Sequence, residues 1–339
     1  MDLTRTAGSY TGWTPIRFDW GGEKATVGWC LTEGISFTDP FFDQTVERCF
    51  RDPCRLLFQR ESGIEEVGRF VAEHPGLAPA AFVFHMSRCG STLIAQMLVQ
   101  AAEHLVLSEP RPIDAVLRTS WARPGATDGD RCSWLRWIVS AMGQPRHARQ
   151  QRLFVKFDAW SVIDLPIIRR AFPDVPWLFV YRDPLEVLVS QSRRLGAHVI
   201  PGVLPPSLLG MTAAEVRSCP PVEYQARVLA RICEAALDHR DDPRATFVEY
   251  RQLPGFVVSD LPALCSVRFQ DADAERMLDV ARLDAKNPAV AFEGDGGRKQ
   301  EMASPPLRAA AERWLAPVYE QLQQARARHA AGPHVPNAG

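Results

Sequence analysis

Two short stretches of this chain could each hold an anion. The first is His85-Met86-Ser87-Arg88-Cys89-Gly90-Ser91-Thr92, placed after the apolar run Ala81-Phe82-Val83-Phe84 and before a helical pattern. Gly90 lets a ligand approach the backbone, and Ser91 and Thr92 fall where a helix start exposes unpaired N–H groups. Arg88 adds a full positive charge. The second stretch closes the run Trp177 to Tyr181 with Arg182, then opens a helix at Pro184, a residue favoured at that position. Ser190 and Arg194 are four apart and share a face of that helix. One hydroxyl and two guanidiniums could there grip an anion in a bidentate way. Each stretch also has a plainer reading, as a capped turn or as a capped helix with surface arginines.

Two other phosphate chemistries fit the first stretch poorly. A Walker A loop needs GxxxxGK[ST], whereas His85 stands at the first glycine position and Ser91 at the lysine position. A cysteine phosphatase would need an arginine six residues after Cys89, and position 95 is Ala. Cys89 therefore reads as a small buried thiol, although a helix start could lower its pKa. Other strand ends carry reactive groups: Glu109 after Leu105-Val106-Leu107-Ser108 and Lys156 after Leu153-Phe154-Val155. Plainer roles are helix-dipole stabilisation for Glu109 and a surface pair with Asp158 for Lys156. The chain has only four lysines, Lys24, Lys156, Lys286 and Lys299, so nearly all its positive charge is arginine.

The elements that would position these groups follow from the apolar pattern. Five short buried-strand runs alternate with helical stretches at 92–103, 112–121, 133–143, 160–171, 184–195 and 222–240. That alternation predicts an α/β fold, a mainly parallel sheet flanked by helices, with ligands at the strands' carboxyl ends. Residues 1–75 differ: Pro15 to Cys30 reads as a hairpin turning near Gly21-Gly22, and a helix follows Asp39-Pro40. This small β-containing extension could be an accessory module, a cap or a dimer surface. Five prolines in 196–221 predict a loop or lid, and a last helix is expected from Pro306 to about Arg328. The organisation expected is an N-terminal module over 1–75, the α/β domain over 76–330, and a flexible tail over 331–339.

Of the 339 residues, 39 are Lys or Arg and 40 Asp or Glu, for a net charge of -1. That balance gives no basis for generic binding to nucleic acid or an acidic membrane, so any anion site must be local. Apolar residues at 46% and charged residues at 23% fit a globular chain with a large core. The eight cysteines contain no CxxC pair, and neither a metal framework nor a disulfide framework is suggested. With no signal-peptide pattern at the start and no apolar run near the ~20 residues of a membrane span, a cytoplasmic location is expected.

Arg88-Cys89-Gly90-Ser91-Thr92-Leu93 resembles the 5′-phosphosulfate loop of the sulfotransferase family, with Cys89 in place of the usual serine. Arg182 and Ser190 have the spacing of that family's 3′-phosphate motif, and Arg194 matches a further arginine of the tyrosylprotein branch. Glu249-Tyr250-Arg251-Gln252-Leu253 resembles the family's Tyr-Glu-Asp-Leu run, and Gly294 to Arg298-Lys299 is similar to a flexible basic loop closing over the 3′-phosphate. The resemblance covers roughly residues 80–325. It implies a P-loop sulfotransferase-like fold, 3′-phosphoadenosine 5′-phosphosulfate (PAPS) as donor, the bisphosphate PAP as its spent form, and no metal. It also implies Glu109 as general base, with Arg88 and Lys156 stabilising the leaving phosphate. Binding of the nucleotide would then fall to Arg88, Cys89, Gly90, Ser91, Thr92, Arg182, Ser190, Arg194, Tyr250, Arg298 and Lys299. A small-molecule hydroxyl is the expected acceptor. An ATP-dependent phosphotransferase and a non-catalytic nucleotide-binding module are the alternatives.

Overall fold

The structure is a computed structural model that describes residues 10–21, 24–119, 125–291, 294 and 296–331. Three strands near the start, β1 (Trp13–Gly21), β2 (Lys24–Leu31) and β3 (Arg60–Gly63), pair antiparallel in the order β1-β2-β3. The five apolar runs become β4 (Pro79–His85), β5 (His104–Ser108), β6 (Arg152–Lys156), β7 (Trp177–Tyr181) and β8 (Ala245–Glu249). They form one parallel sheet in the order β5-β6-β4-β7-β8. Every residue of β5 and β7 is buried, which is what a sheet covered by helices on its faces requires of its strands. A final hairpin pairs β9 (Leu283–Asp284) with β10 (Asn287–Ala291).

The connecting helices follow the apolar pattern closely. They include Ser91–Leu98, Arg111–Leu117, Asp128–Met142, Pro184–Arg193 and Pro221–Leu237. The helix expected over 92–103 ends earlier, at Leu98, because the chain must turn back into β5 at His104. The helix expected from Pro306 comprises Pro305–Ala310, a π-turn over Ala311–Leu315, and Ala316–Ala331. The proline-rich 196–221 segment is mostly short turns plus the helix Ala213–Ser218. Among the described residues, no helix is long and apolar enough to cross a membrane.

The buried Trp29, Val67 and Phe70 of the N-terminal extension belong to the same hydrophobic core as the parallel sheet. One expectation takes a different form. The flexible basic loop expected around 294–299 contains instead the helix Gly296–Glu301, packed on Pro184–Arg193. Gln300 donates to the Asp183 carboxylate (2.9 Å), which also caps the neighbouring helix by accepting from the N–H groups of Leu185 and Glu186. A side chain at Gly296 would stand 3.0 Å from the Glu186 carboxylate, so glycine permits this close docking. The end of the expected tail, 332–339, and part of the turn near Gly21-Gly22 lie outside the described residues.

Candidate active site

A cavity of about 460 Å³ opens at the carboxyl edge of the parallel sheet. β4 lies between β6 and β7, so the chain leaves it first toward one edge and later toward the other, and the crevice at its end is the natural ligand position. All five strands deliver a residue to the wall: the Ser87–Thr92 loop after β4, Glu109 after β5, Asp158 after β6, Arg182 after β7 and Tyr250 after β8. Arg88 and Arg182, 94 positions apart in sequence, thus face one cavity.

The loop after β4 is held in an unusual backbone shape. Ser87, Arg88 and Gly90 have φ of 79°, 52° and 90°, a region that costs a non-glycine residue about 1–3 kcal/mol. A Cβ at Gly90 would also lie 2.8 Å from Leu253 and 2.9 Å from the Tyr250 ring. Arg88 donates from Nη2 to the Arg194 carbonyl (2.5 Å), so two of the expected anion ligands are tied together. The Cys89 thiol donates to the Val180 carbonyl (3.0 Å), and burial pushes its pKa up to about 12. It pins the loop to β7 and has no thiolate character at neutral pH.

On one side of the loop sit Glu109, Lys156 and His85. The Glu109 N–H donates to the Lys156 carbonyl (2.7 Å), and the Lys156 ammonium donates to the Glu109 carboxylate. His85 Nε2 lies 3.5 Å from the same carboxylate oxygen. Ser87 N–H donates to His85 Nδ1 (3.1 Å), which leaves the ring proton on Nε2, 3.1 Å from the Phe157 carbonyl. Burial, reinforced by the Lys156 charge, holds His85 below its ordinary pKa, so the ring is neutral. Burial by itself would raise the Glu109 carboxyl, yet Lys156 and His85 hold it well below the usual carboxylate range. The result is an ionised carboxylate, 25% exposed toward the cleft, over an ammonium that is 1% exposed.

At the other end, Arg182 is almost fully buried and already engaged. Its Nε and Nη2 both reach Glu186 Oε2 (2.5 Å), and its guanidinium lies 4.0 Å from the centre of the Tyr250 ring. A second hollow of about 200 Å³ continues here, lined by Asp183, Glu186, Glu249, Arg251 and the glycines 294 and 296. Ser190, Arg194 and the buried Lys299 line the main cavity, whereas Arg298 is exposed and lines neither hollow.

Several wall residues escaped the sequence reading. Phe41 comes from the N-terminal extension, anchored where Ser108 donates to the Pro40 carbonyl (2.8 Å), so that extension caps the site. Trp160 donates from its indole to the Asp114 carboxylate (2.6 Å), and the His198 ring lies 5.7 Å from it with Nε2 enclosed and unpartnered. Burial lowers His198 to about 3. Asp158 also faces the cavity; burial raises its carboxyl well above the ordinary range, and Glu109 and Asp114 push the same way. The hairpin turn between β9 and β10 brings in Lys286.

The described residues contain no group of three or more His, Cys, Asp or Glu able to hold a metal ion. No family model matches the chain, and no curated protein matches it. Several solved structures are similar. Sulfotransferase STF9 from Mycobacterium avium has 16% identity and a TM-score of 0.43, over 76% of this chain and 80% of that one. A sulfotransferase from Alicyclobacillus acidocaldarius has 14% identity and a TM-score of 0.42, over 74% and 96%. Retinol dehydratase, solved with retinol and PAP, has 14% identity and a TM-score of 0.37, over 72% and 82%.

Proposed function

We propose that the protein is a sulfotransferase that moves the sulfuryl group of PAPS to the hydroxyl of a small-molecule acceptor. The observation that carries this reading is the shared cavity: a cationic loop at a helix start and Arg182 with Tyr250 face one space. A doubly phosphorylated adenosine needs two anion contacts flanking an aromatic surface, and these residues fit that requirement. Gly90, Ser91 and Thr92 offer N–H groups at the start of Ser91–Leu98 to the 5′-phosphate. Arg182 meets the 3′-phosphate while shared with Glu186, and Ser190, Arg194 and Lys299 complete that side.

When bound, the donor supplies a sulfuryl group activated by its link to phosphate. Lys156 and Arg88 stabilise the charge left on that phosphate, an effect worth roughly 10²–10³ in rate per donor group. Glu109 takes the acceptor proton as the acceptor oxygen bonds to sulfur and the sulfur–phosphate oxygen bond breaks, its electron pair staying on the phosphate. Glu109 is weakly basic while Lys156 is paired with it. Donor charge competes for that ammonium and moves Glu109 back toward an ordinary carboxylate. Asp158, with its raised carboxyl on the same wall, favours a second assignment of the base.

Thermal stabilisation by nucleotides tests the reading. Adenosine 3′,5′-bisphosphate should raise the melting temperature and ATP should not; the reverse would make the protein an ATP-dependent phosphotransferase. With PAPS and a panel of phenols and alcohols, Glu109→Gln should retain bisphosphate binding and lose about 10²–10⁴ in turnover. Full turnover in Glu109→Gln, with loss in Asp158→Asn, would move the base to Asp158.

A further inference from the structure

The cations around the cavity differ in what they already hold. Lys156 is paired with Glu109, Arg182 with Glu186, and Arg88 donates to a carbonyl. Lys286 has no carboxylate or carbonyl partner for its ammonium among the described residues. That ammonium stands 5.6 Å from the centre of the Phe41 ring, and the Lys156 ammonium stands 5.3 Å from the same ring. The turn that presents it is built: the Asp284 carboxylate accepts from the N–H groups of Lys286 and Asn287, both at 2.9 Å. Leu283, Asp284 and Ala285 of the same hairpin line the cavity.

Its surroundings also give its position along the cleft. Sharing the Phe41 ring with Lys156, which holds Glu109, sets Lys286 at the Glu109 end of the cleft, where the Arg88 and Arg194 charges also act on it. Desolvation, with Arg88 and Lys156 next, lowers its pKa to about 8, so at neutral pH it is still mostly charged. A cation facing like charges across a cleft is relieved by an anion placed between them. If the 5′-phosphate occupies the loop, the group between Arg88 and Glu109 is the one attached beyond that phosphate.

We propose that Lys286 binds the terminal sulfuryl oxygens of the donor and so distinguishes PAPS from the spent bisphosphate. This rests on the donor assignment made above. Lys286 exchanges no atom in the reaction. Its contact exists while sulfur is attached to the phosphate and is lost once the sulfuryl group leaves with the acceptor, which favours release of PAP.

The test is calorimetric titration at pH 7 of wild type, Lys286→Met and Lys286→Arg with PAP and, separately, with PAPS. Lys286 lies on the turn of a hairpin outside the hydrophobic core, so both variants should fold. In Lys286→Met, PAP affinity should stay within about twofold of wild type, while PAPS affinity falls about tenfold or more, as expected for one lost charge-assisted contact. Lys286→Arg should keep most of the PAPS affinity. An unchanged PAPS-to-PAP affinity ratio in Lys286→Met, whether both affinities fall or neither does, would overturn the inference and leave the donor assignment standing. Wild type that binds neither nucleotide would overturn both.

Discussion

Replacing Lys156 by Met should destabilise the protein in a way that depends on pH. The ammonium is 1% exposed and bound to Glu109, whose carboxylate is 25% exposed. Methionine fills similar volume, so the change removes mainly the charge. Breaking a buried pair from one side costs about 3–5 kcal/mol, and the low end applies because Glu109 keeps some solvent and its His85 neighbour. For a chain of 339 residues, unfolding entropy of ~2.1 cal/mol/K per residue is roughly 0.7 kcal/mol/K, so about 3 kcal/mol lowers the melting temperature by about 4 °C. The pair holds the Glu109 pKa down, so its contribution is complete above the unfolded value of about 4.3 and is lost progressively as pH falls from there through the depressed folded value. Calorimetry of wild type, Lys156→Met, Glu109→Gln and the double variant at pH 7 and pH 3 would measure this. The gap between wild type and Lys156→Met should shrink at the lower pH, and the double variant should be about 1.5–3 kcal/mol more stable than additivity allows. Additive losses with no pH dependence would refute the reasoning.

Other expectations concern the cavity proposed to hold the nucleotide. Arg88→Ala and Arg182→Ala should each weaken bisphosphate binding about tenfold to a hundredfold by titration, the range for a charge-assisted contact. Glu186→Gln should tighten it, because Arg182 would no longer be shared with a carboxylate; unchanged affinity would argue against Arg182 as the 3′-phosphate ligand. Gly90→Ala should abolish nucleotide binding and lower stability by about 1–3 kcal/mol, since it adds a side chain at φ 90° and against the Tyr250 ring, measured by denaturant unfolding. Cys89 should resist iodoacetamide in the native protein at pH 8, read by mass spectrometry, because its thiol is buried and pushed up to about 12.

The parallel sheet was legible because its strands are buried on both faces and read as unbroken apolar runs between polar strand ends. The same rule brought Arg88, Glu109, Lys156, Arg182 and Tyr250 to one edge, since position at a strand's carboxyl end needs no long-range information. What was not legible depends on tertiary contacts. Lys286 lies in a hairpin whose β10 is exposed throughout, so no hydrophobic period marks it. Phe41 reaches the cavity from a segment remote in sequence, and His198 from a proline-rich stretch without regular pattern. Arg182 was visible as a strand-end cation, but nothing in that position says that its guanidinium is already committed to Glu186. The glycines before Arg298 suggested a loop, whereas close docking on Glu186 uses them to seat a helix that turns Lys299 inward and leaves Arg298 outside.

The most direct measurement is sulfuryl transfer itself. PAPS carrying radiolabelled sulfur, incubated with the protein and a mixed pool of small-molecule phenols and alcohols, should yield a labelled sulfate ester together with an equal amount of PAP. Tight binding of PAP with no acceptor-dependent consumption of PAPS would instead identify a nucleotide-binding protein without transferase activity.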